Sequence, residues 1–322
     1  MSKIVEHLIC PRCHFTLRQN IKLGSLDSIS CLNLKCQFSE QPFLIINGVP
    51  CLIDFEKSVF NIEDITEIAP KISSRTWRRK FMSWLEALSV GSANDGVSSG
   101  ACERFITEIR HRRSRPAILI IGGGTVGAGA SALYKTSDIE IVGTDVFLSA
   151  YVDVVCDGHS LPFESSTFDG VWIQAVLEHV LEPSIVVSEI HRVLRPEGIV
   201  YAETPFMQQV HMGAYDFQRF TKSGHRWLFR HFTEIESGVN GGVGLSLVWA
   251  VYYYLRALTR SNLWWQPIRI LVGWLTRTDR FTDNGRNSDG ACGIYFMGQR
   301  SDISTTHKEI IKYYETSDLR NK

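Results

Sequence analysis

The sequence predicts an α/β fold with a mostly parallel sheet, preceded by a small β-rich module. Three observations predict it. Short apolar runs alternate with helix-like segments from Ala117 to Glu203; the first run ends in the glycine-rich turn Gly122-Gly-Gly-Thr-Val-Gly127; and four cysteines fall within the first forty residues. Alternation of this kind implies βαβ units, whose crossover helices join parallel strands.

The chain of 322 residues is long enough for about two domains. With 44% hydrophobic and 21% charged residues, and 34 Lys+Arg against 34 Asp+Glu, it is neither disordered, nor collagen-like, nor a basic nucleic-acid coat. Eight cysteines are too few for a disulfide scaffold, and Met1-Ser-Lys-Ile-Val-Glu-His lacks the basic-then-apolar layout of a signal peptide. The expectation is a reducing, cytoplasmic compartment. The densest apolar stretch, Leu245 to Leu255, is about half a bilayer span, so no transmembrane helix is expected.

Along the chain, residues 1–56 are expected to form the β-rich module, with short runs such as Phe43-Leu-Ile-Ile-Asn-Gly-Val-Pro-Cys-Leu-Ile. Residues 57–115 read as a basic connector, helical over Trp77 to Leu88 and a linker from Gly91 to Gly100, whose small residues lack an apolar period. The main domain, 116–301, carries strands at Ala117–Ile121, Ile139–Gly143, Asp153–Val155, Phe168–Ile173 and Ile199–Glu203. A helix opens at Pro183, and an aromatic helical insertion covers about 240–280. A last strand at Ala291–Gly298 precedes a polar tail, 302–322, with a helix at Ser304–Tyr314.

Cys10-Pro-Arg-Cys13 and Cys31-Leu-Asn-Leu-Lys-Cys36 give two close pairs on separated turns, the layout of a four-thiolate metal site. Four thiolates suit Zn²⁺ and leave no open position, so the site is expected to be structural. Free buried cysteines, a disulfide pair and a rubredoxin-like iron site are the competing readings. With Asn47-Gly-Val-Pro50 after the last ligand, the module resembles the zinc-ribbon family that includes small activators of tRNA and rRNA methyltransferases.

Gly122, Gly124 and Gly127 satisfy G-x-G-x-x-G, and Asp145 ends the second strand about twenty residues later. This pattern alone does not separate NAD from S-adenosylmethionine, since both carry an adenosine whose ribose hydroxyls can donate to a carboxylate. Seven acids and no Lys or Arg between residues 138 and 170 suit a cationic sulfonium ligand. The segments downstream of the loop are more specific: Asp157-Gly-His-Ser-Leu161-Pro-Phe163, then Leu177-Glu178-His179, then Arg195-Pro-Glu-Gly198. Over Ala117 to Thr204 the chain resembles the class I S-adenosylmethionine-dependent methyltransferases. The resemblance implies a Rossmann-like, seven-stranded, mostly parallel sheet. It implies that Gly122 and Gly124 line the methionine portion, that Gly127 belongs to the same cofactor-binding turn, that Asp145 holds the ribose hydroxyls, that Asp157 reaches the adenine amine, and that Gly158 offers a backbone contact. The chain departs from the family at Ile120, where an acid is usual, and at Val126, where many members have glycine.

Methyl transfer needs no elaborate catalytic set, but a general base speeds transfer to a hydroxyl, and histidine ionises near neutral pH. His211 is the first candidate and His179 the second; Glu178 and Glu203 also sit where strands end. Asp216 and Arg219 read as a loop-shaping ion pair. The expected activity is methyl transfer to a small molecule, a glycan or a lipid-linked saccharide. An rRNA or tRNA methyltransferase is the alternative, resting on the ten Lys/Arg against four Asp/Glu in 71–115. A non-catalytic protein that docks a partner through its ribbon is a third. The tryptophans and tyrosines between Leu247 and Trp274 read as core or lid, with peripheral contact at the inner membrane face as the competing reading.

Overall fold

The computed structural model describes residues 8–20, 27–68, 91–261, 263–282 and 284–319. In chain order the elements are strands β1 (Leu17–Asn20), β2 (Ser28–Cys31), β3 (Phe43–Ile46) and β4 (Val49–Leu52), helices α1 (Ile62–Ile68) and α2 (Gly91–Arg112), then β5 (Ala117–Ile121), β6 (Glu140–Asp145), β7 (Val154–Cys156) and β8 (Phe168–Gln174). Helix α3 (Pro183–Val193), β9 (Leu194–Pro205), α4 (Lys222–Leu228) and β10 (Phe232–Asn240) come next. The chain then forms α5 (Val243–Thr259), α6 (Trp265–Val272), α7 (Leu275–Thr278), α8 (Asn284–Asp289), β11 (Gly293–Arg300) and α9 (His307–Leu319).

All eleven strands form one sheet in the order β1-β2-β3-β4-β7-β6-β5-β8-β9-β11-β10. The expectation of seven strands, mostly parallel, is therefore corrected. The sheet is mixed: β4 through β9 pair in parallel, while β1 to β4 and the β9-β11-β10 end pair antiparallel. The extra strands come from the N-terminal module. Its β4 pairs in parallel with β7, Cys51 opposite Val155 and Leu52 opposite Cys156. The amide of Ile9 donates to the Pro162 carbonyl at 3.0 Å, and Ser160 Oγ donates to the Pro11 carbonyl. Leu8, Ile29, Phe38 and Phe43 share one buried cluster with Phe163, Phe168, Val186 and Phe296. Module and main domain thus exclude water from a common core.

The stretch from Gly91 to Gly100, expected as a linker, is the first part of helix α2. Its low helix propensity is overridden by contact. Phe105 and Ile109 pack on the sheet so closely that a Cβ on Gly170 would lie 2.9 Å from Phe105 Cζ. At Gly129 a Cβ would lie 2.5 Å from the backbone nitrogen of Ser99. Small residues are what let the helix approach. This second core, with Ile118, Ile120, Trp172, Tyr201 and Tyr295, absorbs Ile120 completely. After the glycine turn a 3-10 segment forms at Ala130–Lys135.

The helix expected at Pro183 is α3, and its Val186, Ile190 and Val193 are buried as the spacing requires. The sequence does not announce β10, because its residues alternate only weakly between buried and exposed. The expected helix at Trp77–Leu88 lies outside the described residues. In the aromatic insertion, Asp279 accepts from the Gly244 amide at 2.7 Å and Asn287 from the Val243 amide at 2.9 Å, so both cap the N-terminus of α5. The core reading fails for much of this insertion: Leu258, Leu263, Leu271 and Phe281 are each more than two-thirds exposed. Among the described residues no helix is long and apolar enough to cross a membrane.

Candidate active site and metal centre

The strand order runs outward from β5 to β6 and β7 on one side, and to β8 and β9 on the other. β5 and β8 therefore flank the topological switch point, where ligands of open α/β sheets bind beyond the carboxyl ends of the strands. The glycine turn leaves β5, and Glu178-His179 come after β8. Gly122 has φ +76°, a left-handed conformation that suits glycine. A Cβ at Gly124 would lie 2.6 Å from Asp145 Oδ2, and one at Gly127 would collide with Gln174 Oε1. At Gly158 a Cβ meets only an ordinary contact with Val186 at 3.4 Å, so the space there does not require glycine.

Asp145 stands at the end of β6. It accepts from the Gly124 amide at 2.8 Å and the Phe147 amide at 3.1 Å, and burial pushes its carboxyl above the usual range. Asp157, just past β7, accepts from Ser58 Oγ at 2.7 Å and from His159 Nδ1 at 2.6 Å. Although burial opposes its ionisation, these bonds hold it below the usual carboxylate range. Ser58 escapes sequence reasoning because nothing local marks it; it reaches Asp157 through the β4–β7 pairing. Carboxylates at the ends of adjacent strands, beside a glycine turn, form an acceptor set that fits the hydroxyls and amine of an adenosine.

From Asp145 a line of contacts runs to the histidines. Phe147 packs edge-on to Phe60 at 5.4 Å, Phe60 stacks on Tyr215 at 5.4 Å, and the Tyr215 carbonyl accepts from His179 Nδ1 at 2.7 Å. His179 and His211 come together with ring centroids 4.9 Å apart. Between them Glu178 is 0% exposed, and neither of its carboxylate oxygens has a hydrogen-bond partner among the described residues. Desolvation pushes its carboxyl up to about 8, and desolvation also lowers the His179 imidazole. The loop that delivers His211 is knit by Arg219, which forks onto Asp216 and donates to the carbonyls of Gln208 and Gln209 at 2.8 and 3.1 Å. The expected ion pair is thus present. Asp216 in turn accepts from the His211 amide at 2.8 Å, and Tyr253 Oη of α5 donates to the Val210 carbonyl. The insertion touches the loop, as a lid does.

A second polar group surrounds Glu203, at the end of β9. Tyr201 Oη, Ser98 Oγ and Gln174 Nε2 all donate to its Oε2, at 3.0, 3.1 and 3.2 Å. Ser98 is hidden, in the sequence, within the stretch that reads as a linker.

At the other end of the sheet, Cys10, Cys13, Cys31 and Cys36 converge, with all four sulfurs within 4.8 Å of one another and none in a disulfide. Cys10 Sγ lies 3.8 Å from Cys36 Sγ, and Cys13 Sγ 3.4 Å from Cys31 Sγ. A tetrahedral zinc with bonds of about 2.3 Å spaces its ligands by about 3.8 Å, so the donor set fits. Burial raises the Cys10 thiol and pushes Cys31 up to about 11, an unfavourable state for bare thiolates that a divalent cation reverses.

Of the basic residues expected to form an RNA-binding stripe, those at 71–80 lie outside the described residues. Arg104, Arg110, Arg112 and Arg113 are paired with Glu236, Asp138, Glu108 and Asp169.

The geometry defines an α/β protein whose glycine turn, Asp145 and Asp157 gather at the carboxyl ends of the strands beside the switch point. Residues 119–202 match the methyltransferase domain family. No curated protein matches the chain in sequence. Among solved structures the chain is similar to the [4+2]-cyclase SpnF, at 16% identity, 62% of this chain, 81% of that one and a TM-score of 0.40. It is similar to a Haloferax volcanii complex of the Trm112 methyltransferase activator with a protein assigned as a methyltransferase (18%, 65%, 96%, 0.40). It is also similar to the geranyl diphosphate C-methyltransferase of Streptomyces coelicolor A3(2) (13%, 63%, 79%, 0.41).

Proposed function

We propose that the chain transfers a methyl group from S-adenosylmethionine to an oxygen of a small-molecule, glycan or lipid-linked saccharide acceptor. The observation that carries this reading is the contact, across the β5/β8 switch point, of Gly122 in the glycine turn with Val176, two residues before Glu178 and three before His179, which His211 joins. Bound there, the donor supplies a methyl carbon already activated by positive sulfur. The acceptor oxygen forms the new bond to that carbon as the carbon–sulfur bond breaks, and the electron pair of the broken bond neutralises the sulfonium. Gly122, Gly124 and Gly127 let the ligand approach the backbone, Asp145 and Asp157 accept from ribose and adenine, and the Gly158 amide lies beside Asp157. The acceptor's proton leaves toward the histidine pair, with His211 the first candidate base and His179 the second. Alignment and exclusion of water supply most of the remaining rate.

The cysteines would hold a structural zinc, and the ribbon supports the methyltransferase domain from within the same chain. Calorimetric titration with S-adenosylhomocysteine, with NAD as control, tests the donor site. Micromolar binding by the parent and its loss in Asp145→Ala are expected; no binding by folded, zinc-loaded protein refutes the reading.

A second reading, favoured by the exposed Leu258, Leu263, Leu271 and Phe281, is that the insertion rests on an anionic membrane surface. Arg256, Arg260, Arg277 and Arg280 lie in the same segment and supply the cations such a surface attracts. A lipid-linked acceptor would then be presented to the lid side of the site.

A further inference from the structure

The histidine pair and the carboxylate between them have more order than an acid–base pair requires. His179 Nδ1 faces the Tyr215 carbonyl at 2.7 Å, so the proton sits on Nδ1 and the Nε2 lone pair is free. That Nε2 points at Glu178 Oε1 from 3.6 Å. His211 stands beside it: its Nδ1 lies 3.4 Å from Asp216 Oδ2, an ion-pair distance without a hydrogen bond, and its Nε2 faces the same Glu178 Oε1 from 4.0 Å. Both Nε2 distances are too long for a hydrogen bond. They match the spacing of two ligands that share one ion at about 2.1 Å with angles of about 110–140°. An imidazole whose Nδ1–H is held by a carbonyl or carboxylate, leaving Nε2 free, is the usual outer arrangement of a metal-binding histidine. Arg219 acts on Glu178 through space, but its donors go to Asp216 and the carbonyls of Gln208, Gln209 and Gln218, and none reaches a Glu178 oxygen. A fully buried carboxylate with both oxygens orphaned is costly unless something pairs with it.

We infer that Glu178, His179 and His211 bind a divalent first-row transition ion through Glu178 Oε1 and the two Nε2 atoms. Two imidazoles and one carboxylate on one side of an ion suit this class of metal rather than Mg²⁺ or Ca²⁺, and they leave positions open for an acceptor oxygen. The inference rests on the proposed methyl transfer to oxygen and revises its proton step: with both Nε2 atoms on the ion, neither imidazole takes the acceptor's proton, which leaves to solvent instead, and the acceptor is an oxygen group able to ligate a metal, such as a hydroxyl beside a second donor atom. A metal-bound hydroxyl loses its proton more easily than a free one.

The test uses the full chain loaded with zinc at the four-cysteine site and titrated with Co²⁺, read by visible absorption and metal analysis. The expected result is one further equivalent of Co²⁺ with weak visible bands and no sulfur-to-metal charge transfer. His211→Ala and Glu178→Gln should each weaken that binding by at least about tenfold. Folding of each variant is checked by its thermal midpoint. Should Glu178→Gln fail to fold, His211→Ala, at an exposed loop position, carries the comparison. Absence of Co²⁺ beyond the thiolate site at millimolar concentration, binding unchanged in the folded variants, or bands of thiolate type only would overturn the inference. Neither donor nor acceptor is needed, so this result stands apart from S-adenosylhomocysteine binding.

Discussion

Val176 Cγ2 occupies the place that a Cβ on Gly122 would take. One contact therefore joins the turn after β5 to the segment after β8. Gly122→Ala carries two penalties, a positive φ costing about 1–2 kcal/mol and a displaced Val176. The expected outcome is a lower thermal midpoint together with loss of S-adenosylhomocysteine binding by calorimetry. Gly158→Ala, which meets only an ordinary contact, should fold with the parent's midpoint.

The N-terminal module and the main domain share buried residues, so loss of a metal held by the four cysteines should not stay local. Cys13→Ser, or exhaustive chelation, is expected to lower the unfolding midpoint of the whole chain by at least about 5 °C, in one transition and not two. Differential scanning calorimetry checks both the size and the single transition.

His225 is wholly buried against Phe220, Phe229 and Phe296, with Nε2 unpartnered among the described residues, and burial depresses its imidazole to about 3. The unfolded chain binds a proton near pH 6.5 that the folded chain refuses. The contribution to stability is therefore complete above about 6.5 and is lost as pH falls toward 3, at up to about 1.4 kcal/mol per pH unit. Thermal midpoints measured from pH 7 to 4.5 should fall, and fall less steeply in His225→Phe.

Arg219 closes the His211 loop through a fork that lysine cannot reproduce. Arg219→Lys should leave S-adenosylhomocysteine affinity unchanged and reduce turnover about ten- to a hundredfold once an acceptor is found, since only the acceptor side loses its alignment. A parallel loss of donor affinity would show that the loop does more than position His211.

If the insertion meets lipid, the parent chain should float with anionic vesicles at low salt. A Leu258→Asp, Leu271→Asp double variant should remain at the bottom of the gradient, since both positions are exposed and their replacement leaves the core intact. Equal flotation of the two proteins would remove the membrane reading.

The positions of β5 to β8 and α3 are legible because each carries its signal within a few residues: apolar runs, the glycine turn, Pro183. The pairing of the cysteines and the meeting of His179 with His211 arise from short motifs placed by that scaffold. The illegible features depend on partners far along the chain. Helix α2 looks like a linker until Phe105 and Ile109 are set against Gly170, and Ser98 gains meaning only beside Glu203. Ser58 lies 99 positions from Asp157. The parallel pairing of β4 with β7 joins segments about a hundred residues apart, and periodicity carries no record of which strand lies next to which.

Pairing with β4 also shields β7. Within the sheet, β7 has β6 on one side and β4 on the other, so its backbone groups never face solvent as a free edge. Cleaving the chain between the ribbon and the main domain and removing the ribbon would uncover the short row Val154-Val155-Cys156, apolar and buried in the intact protein. Such a strand is a template for another chain. The isolated main domain is thus expected to self-associate, which makes the ribbon an intramolecular guard against aggregation.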